Sequence, residues 1–212
     1  MTAGIDPVVA GLVPSLARPG GNITGVTIMS EEVAGKRLEL LKETSPKVSR
    51  IGVLWNSANP GAAVVFKQTQ SATQQLSLSL QSLEVKTAND LQGAFDAAIR
   101  SGVNGLVPLA VTPVNDHPKL VADLAVKNRL PSIYDRSDFV EAGGIMSYSP
   151  NVANMSHPAA TYVDKVLKGA NPGDLPVERP TKFQFVINLK AAKQIGLTIP
   201  PNVLVRADKV IN

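Results

Sequence analysis

The chain has 212 residues, no cysteine and a net charge of +4. It is long enough to bury a core without covalent staples, and the lack of cysteine excludes disulfides, thiolate catalysis and cysteine–zinc sites. The densest basic stretch, Lys36, Arg37, Lys42, Lys47 and Arg50, is interrupted by Glu31, Glu32, Glu39 and Glu43, so it forms a solvated helix face and no nucleic-acid partner is expected.

In chain order, Asp6-Pro7 has the form of an N-cap followed by proline at the first helical position, ahead of a short helix candidate that Pro19-Gly20-Gly21 closes. This opening lacks a basic region followed by an apolar one, so no signal peptide is visible in it. Asn22–Ile28 is β-branched and strand-like. Ser30, with Glu31 and Glu32, is placed to cap an amphipathic helix reaching Ser45, with Val33, Leu38, Leu40 and Leu41 on its apolar face.

Short apolar runs then recur: Ile51–Trp55, Ser82–Val85, Gly105–Ala110, Pro131–Asp135 and Gly143–Tyr148. Helical text fills most of the gaps: 61–76, then 91–101 behind Asn89-Asp90, then from His117-Pro118 to Asn128. A short turn or helix spans 138–142, and a longer helix runs from about Asn154 to Leu167. The segment 171–180 is proline-rich and extended; Phe183–Asn188 alternates like a strand, and a short helix and a last helical turn follow. Strand-then-helix alternation predicts a parallel α/β sheet with helices on its faces. No run of 18 apolar residues occurs, so no membrane-spanning helix is expected.

Enzyme signatures are missing. There is no G-x-G-x-x-G after a strand, no G-K-[ST] loop and no G-x-S-x-G elbow. Neither His117 nor His157 has a second ligand at metal spacing, so no metal or cofactor is expected. An α/β enzyme using a loop serine or aspartate, or a ligand-sensing domain, stays open as the alternative.

Several phrases resemble one family throughout the chain and in the family's order. They are DPVVAGLVPSLARPGGNITGV, AGKRLELLKE, VLWNSANP, FVEAGGIMSYSP, YVDKVLKGANPGDLPVERPTKFQFVINLKAAKQIGLTIPP and RADKVI. The chain is similar to the substrate-binding proteins of ABC transporters, in the tryptophan/phenylalanine-binding-like group. The resemblance implies a type I periplasmic-binding-protein fold, with two Rossmann-like α/β lobes that close on a small ligand. It also implies hand-over to a membrane permease and a periplasmic location. Because it starts partway through the family's pattern, most of the first lobe is expected to be missing. On that view 1–28 is a remnant of the first lobe, 29–149 is the second lobe, and 150–212 is the crossover and C-terminal segment. The surface left by the missing lobe gives a homo-oligomer as a further expectation, and weak binding by this chain alone as another.

Parallel sheets present ligands to the loops at the carboxyl ends of their strands. With the resemblance, the loop after Trp55 is expected to hold an anionic ligand group through Asn56, Ser57, Asn59 and the helix start behind them. From the residues alone, Asn59 is as well placed to cap that helix and Asn56 to shape the turn. After Ala110, Thr112 and Asn115 either contact ligand or complete an ordinary loop. Asp135, after Tyr134, either pairs with a ligand ammonium or forms a salt bridge to Arg136 or a neighbouring helix. Tyr148 either stacks on an aromatic ligand or sits at the hinge, and Trp55 is either a pocket wall or structural. The expected ligand-binding set is Asn56, Ser57, Asn59, Thr112, Tyr134, Asp135 and Tyr148, for an amino-acid-like or other small carboxylate ligand.

Overall fold

The computed structural model describes residues 2–3, 6–28, 33–109, 111–151 and 153–212, with side chains left out at 2–3 and 153–156. It divides into two compact units. Unit 1 comprises 1–32 and 150–183; unit 2 comprises 33–149 and 184–212.

Unit 2 is a parallel α/β layer structure. After α1 (Ala34–Thr44) come β3 (Arg50–Trp55), α2 (Pro60–Gln75), β4 (Ser79–Glu84), α3 (Asp90–Arg100) and β5 (Gly105–Pro108). Then follow α4 (Pro118–Lys127), β6 (Ile133–Tyr134), α5 (Ser137–Glu141) and β7 (Met146–Pro150). The chain returns as β8 (Phe183–Asn188), α7 (Leu189–Gln194), α8 (Pro201–Leu204) and β9 (Lys209–Ile211). The strands lie in the order β4-β3-β5, and a parallel bridge from Leu106 to Ser132 leads on to β6-β7-β8-β9. β3 pairs in parallel with both β4 and β5, and β6 with β7. Strands β4, β3, β5, β6 and β7 therefore share one direction, and their carboxyl ends share one edge.

The central strands are apolar runs because both faces are covered. Ile51, Val53, Leu54 and Leu106 are fully buried. Neighbouring residues on β6 show the two faces. Tyr134 stacks on Phe139 of α5 at 4.8 Å within a cluster that includes Phe95, Leu106, Val121 and Leu124. Ile133 turns the other way: its strand partner Met146 takes a hydrogen bond from Thr44 of α1, 3.3 Å from oxygen to sulfur. The apolar positions expected on α1, Val33, Leu38, Leu40 and Leu41, are all buried.

Asn104 sews the amino ends of β3 and β5 together. Its Oδ1 accepts from the Ser49 and Arg50 amides at 3.0 and 2.9 Å, and its Nδ2 donates to the Lys47 carbonyl at 3.2 Å. Between α5 and β7, Gly143 adopts a positive φ of 113° to turn the chain, and Gly144 sits against the Tyr134–Phe139 stack. A Cβ on Gly144 would lie 2.5 Å from the Tyr134 ring and 2.8 Å from the Phe139 carbonyl.

Unit 1 has a two-stranded parallel sheet, β1 (Thr2–Ala3) with β2 (Val26–Thr27), and a parallel bridge from Val26 to Glu178. Helix α6 (Ala153–Leu167) accompanies it. Tyr162 of α6 is buried and donates to the Pro176 carbonyl at 2.5 Å; Thr24 donates to the Leu175 carbonyl at 2.6 Å.

Several expectations are corrected. Residues 7–11 form hydrogen-bonded turns and no helix, with Asp6 accepting from the Val8 amide at 2.7 Å; Gly11 leaves by a positive φ of 70° and Pro14 follows, which stops propagation. Ser30, Glu31 and Glu32 lie outside the described residues, and Val33 occupies the N-cap of α1 without a side-chain bond. Asn89 makes no capping bond either. Asp90 instead accepts backwards from the Lys86 and Thr87 amides, and those bonds hold its carboxyl below the usual range. β1 and β9 were not expected; two or three residues carry too short a pattern to stand out.

Gly144→Ala forces the Tyr134 ring or the turn to move, and should lower the unfolding free energy by about 1–3 kcal/mol in urea titration. A change below about 0.5 kcal/mol would show that the stack has room to give. Asn104→Ala should cost about 1–2 kcal/mol by the same measurement, since it frees two amides at once. An unaltered midpoint would mean that water replaces the side chain at no cost.

Candidate functional site

The loops after β3, β5 and β6 carry expected residues, the loop after β4 carries none, and Tyr134 and Tyr148 lie within β6 and β7. After β3, Asn56 uses both ends of its amide: Oδ1 accepts from the Ala58 amide at 3.0 Å, and Nδ2 donates to the Thr112 carbonyl at 3.0 Å. The second bond ties the tip of β3 to the tip of β5. Ser57 donates to Glu84, at the end of β4, at 2.8 Å. Asn59 caps α2 by accepting from the Ala62 amide at 3.1 Å, and Pro60 takes the first position of that helix. Turn and cap are thus made by the side chains proposed for a ligand. With Ala62 committed to the cap and Pro60 lacking an N–H, the start of α2 has few donors for an anion.

After β5, Thr112 is exposed and precedes a cis bond to Pro113. Asn115 places its Oδ1 in the interior, where it has no hydrogen-bond partner among the described residues. Trp55, the last residue of β3, stacks on Phe66 of α2 at 4.2 Å and donates its indole N–H to Ser82 at 2.7 Å. Its single donor is therefore spent on the sheet.

Tyr134 is corrected. It is fully buried, its ring belongs to the core stack with Phe139, and its hydroxyl meets Ser132 at 3.2 Å. Burial raises its pKa well above the ordinary phenol value. A ring held this way anchors the strand end, and the next residue, Asp135, is the one delivered to the edge. Of the alternative partners considered for Asp135, Arg136 pairs with Asp138, whereas a neighbouring helix, α1, brings Arg37 within electrostatic reach. Tyr148 is half-buried on β7, with its ring edge-on to Phe185 of β8 at 6.4 Å.

Sequence reasoning missed Arg37. It lies among Val33, Ala34, Leu38 and Leu41 on the inward stripe of α1, and it is 1% exposed. Its Nε donates to the Tyr148 carbonyl at 2.9 Å. Burial lowers its pKa, while the Asp135 carboxylate and then Tyr148 act to raise it. Arg37 and Asp135 therefore lie by Tyr148, at the end of β6 and the middle of β7, on the face covered by α1. The available signal was its phase. A lone arginine four residues after Val33 and four before Leu41 interrupts an apolar stripe, whereas the basic count had treated it as part of a solvated face.

The carboxyl edge thus carries two tied groups: Asn56 with Thr112 over β3 and β5, and Arg37 with Asp135 and Tyr148 over β6 and β7. Three hollows open elsewhere. Two are in unit 1, one of about 540 Å³ beside Tyr162, Val163 and Leu167 and one of about 300 Å³ beside Asn151, Glu178 and Arg179. The third, about 690 Å³, lies in unit 2 beside Lys119, Glu141 and Lys190. None is lined by the seven expected ligand residues.

Comparison with known proteins places these features in a family. Residues 1–211 match the sequence pattern of the ABC transporter substrate binding proteins. A tyrosine-binding protein from Clostridioides difficile strain R20291 is 26% identical over 197 residues, which is 93% of this chain and 56% of that protein. The chain thus spans little more than half the length of this curated relative. A conserved domain protein from Vibrio cholerae superposes with a TM-score of 0.90 at 30% identity, covering 97% of this chain and 68% of that one. An ABC domain from Streptococcus pneumoniae, solved in complex with L-Trp, gives a TM-score of 0.89 at 28% identity, covering 98% and 69% respectively. The fold is the α/β type I periplasmic-binding-protein fold, and the chain belongs to the ABC transporter substrate binding protein family.

Proposed function

We propose that the chain is the solute-binding component of an ABC importer and takes an aromatic α-amino acid or a closely related small carboxylate at the carboxyl edge of unit 2. The observation that carries this reading is the family match across residues 1–211, joined to relatives whose own names report tyrosine and L-Trp. The geometry supports the same reading. The ends of β3, β5 and β6 with the first turns of α1 present amide, hydroxyl, carboxylate and guanidinium groups, which suits a ligand that is polar at one end.

In this reading the chain performs no chemistry on its ligand and needs no cofactor. Its partners are the ligand and a membrane permease, and it works on the outer side of the cytoplasmic membrane. The proposed contacts are Asn56, Ser57, Asn59, Thr112, Asp135 and Tyr148. The loop after β3 acts through its backbone and through the Asn56–Thr112 tie as much as through free side chains.

Trp55 is the only tryptophan and immediately precedes Asn56, so its fluorescence reports on this edge. Titration with L-tyrosine or L-phenylalanine should change its emission saturably, with one site per chain by calorimetry and no product formed. Asn56→Ala unties two strand tips and should weaken binding by roughly 5–30-fold while the chain stays folded. Absence of heat and of any emission change with all three aromatic amino acids would refute the reading, as would turnover of the ligand.

A further inference from the structure

We propose that Arg37 reads the ligand's carboxylate, so that the ligand of this edge is an α-amino acid bound through both of its charged groups, with Asp135 facing its ammonium. This rests on the strand-tip reading given above and adds the group that selects the ligand's chemistry.

Arginine carries five N–H donors in a planar fork and keeps its charge. Removing that charge from water is costly unless it is paired and hydrogen-bonded. Arg37 is 1% exposed, yet the only side-chain hydrogen bond found for it among the described residues is Nε to the Tyr148 carbonyl. Its Nη2 is shut off from solvent and has no hydrogen-bond partner among those residues. The ion pairs found among the described residues are surface pairs, such as Lys36–Glu39 and Lys209–Glu141, and none includes Arg37.

A merely structural side chain here would be better apolar. The stripe around it is Val33, Ala34, Leu38 and Leu41, and a methionine would fill the same space without desolvating a charge. What arginine adds is a fork that fits a planar carboxylate. Its placement supports this use. The fork is held by the Tyr148 carbonyl, at the level where β6 ends and β7 continues for two more residues. Asp135, at the end of β6, is close enough to act on Arg37 electrostatically. A cation and an anion so placed match the carboxylate and ammonium of a zwitterion, whereas a simple organic acid would leave the Asp135 charge facing its apolar end.

The test compares L-tyrosine with L-tyrosinamide, which keeps the ammonium and the ring but has no carboxylate. Calorimetry is done on the unaltered chain, Arg37→Met and Arg37→Gln. The unaltered chain should prefer the acid by roughly 30–100-fold, the scale of one charge-assisted pair. In Arg37→Met that preference should fall to within roughly 3-fold, with affinity for the amide nearly unchanged, and the thermal midpoint without ligand should stay level or rise. Should Arg37→Met fail to fold, Arg37→Gln carries the same test, because it keeps a donor for the Tyr148 carbonyl and lacks the charge. Retention of the acid preference in a folded, uncharged variant would overturn the proposal. Equal binding of acid and amide by the unaltered chain would overturn it too, while leaving the strand-tip reading intact. If neither compound nor any other aromatic amino acid binds, the strand-tip reading fails and takes this proposal with it.

Discussion

β3, β5, β6 and β7 run the same way, and parallel neighbours cannot be joined by a tight turn. Each strand has to leave the sheet at its carboxyl end and return from the other end. That constraint puts every exit loop on one edge and every return on the opposite edge. It brings Asn56, Thr112, Asp135 and Tyr148 together although they span more than ninety positions of sequence. On the returning edge, Asn104 ties backbone to backbone and its side chain is used up in doing so. Both edges leave groups over among the described residues: Asn115 Oδ1 and Arg37 Nη2 on the exit side, and Arg50 Nε beside Asn104 on the returning side, are buried without hydrogen-bond partners.

Buried polar groups in a native protein are nearly always paired, so an unmatched one requires a reason. The core of unit 2 supplies the contrast. Tyr134 brings a hydroxyl into the interior and pairs it with Ser132; Asn188 brings an amide in and spends it on the Val140 carbonyl and the Ala191 amide. Such closure is not uniform: Arg50 Nε at the amino end of β3 and Ser147 Oγ within β7 are also buried without hydrogen-bond partners among the described residues, so unmatched groups by themselves do not mark the exit edge.

The layer architecture was legible in the sequence because a strand covered on both faces is an uninterrupted apolar run. Ile51–Trp55 and Gly105–Ala110 are such runs, and the helices between them keep amphipathic spacing. Shorter elements were not legible. β9 is three residues with little burial, and it exists because β8 offers it a parallel partner. The loop residues were found by position, since topology dictates where ligands approach a parallel sheet, but their bonding was not. Asn56 and Asn59 each had two plausible uses, and only coordinates show that the turn and the cap are made. Tyr134 was misjudged because a strand's last residue faces either the core or the edge, and strand length alone cannot set that phase. Arg37 was hidden by counting charges along the chain rather than around the helix.

The central claim is that the ligand is held at the carboxyl edge of the parallel sheet in unit 2. Amide hydrogen exchange with and without L-tyrosine tests it most directly, because it reports position by position where the ligand orders the backbone. The account predicts slowed exchange concentrated at 56–59, 111–115, 134–137 and 147–149, with the returning edge around Asn104 unchanged. Protection confined to the hollow beside Tyr162 and Leu167, or to the one beside Lys119 and Lys190, would contradict it.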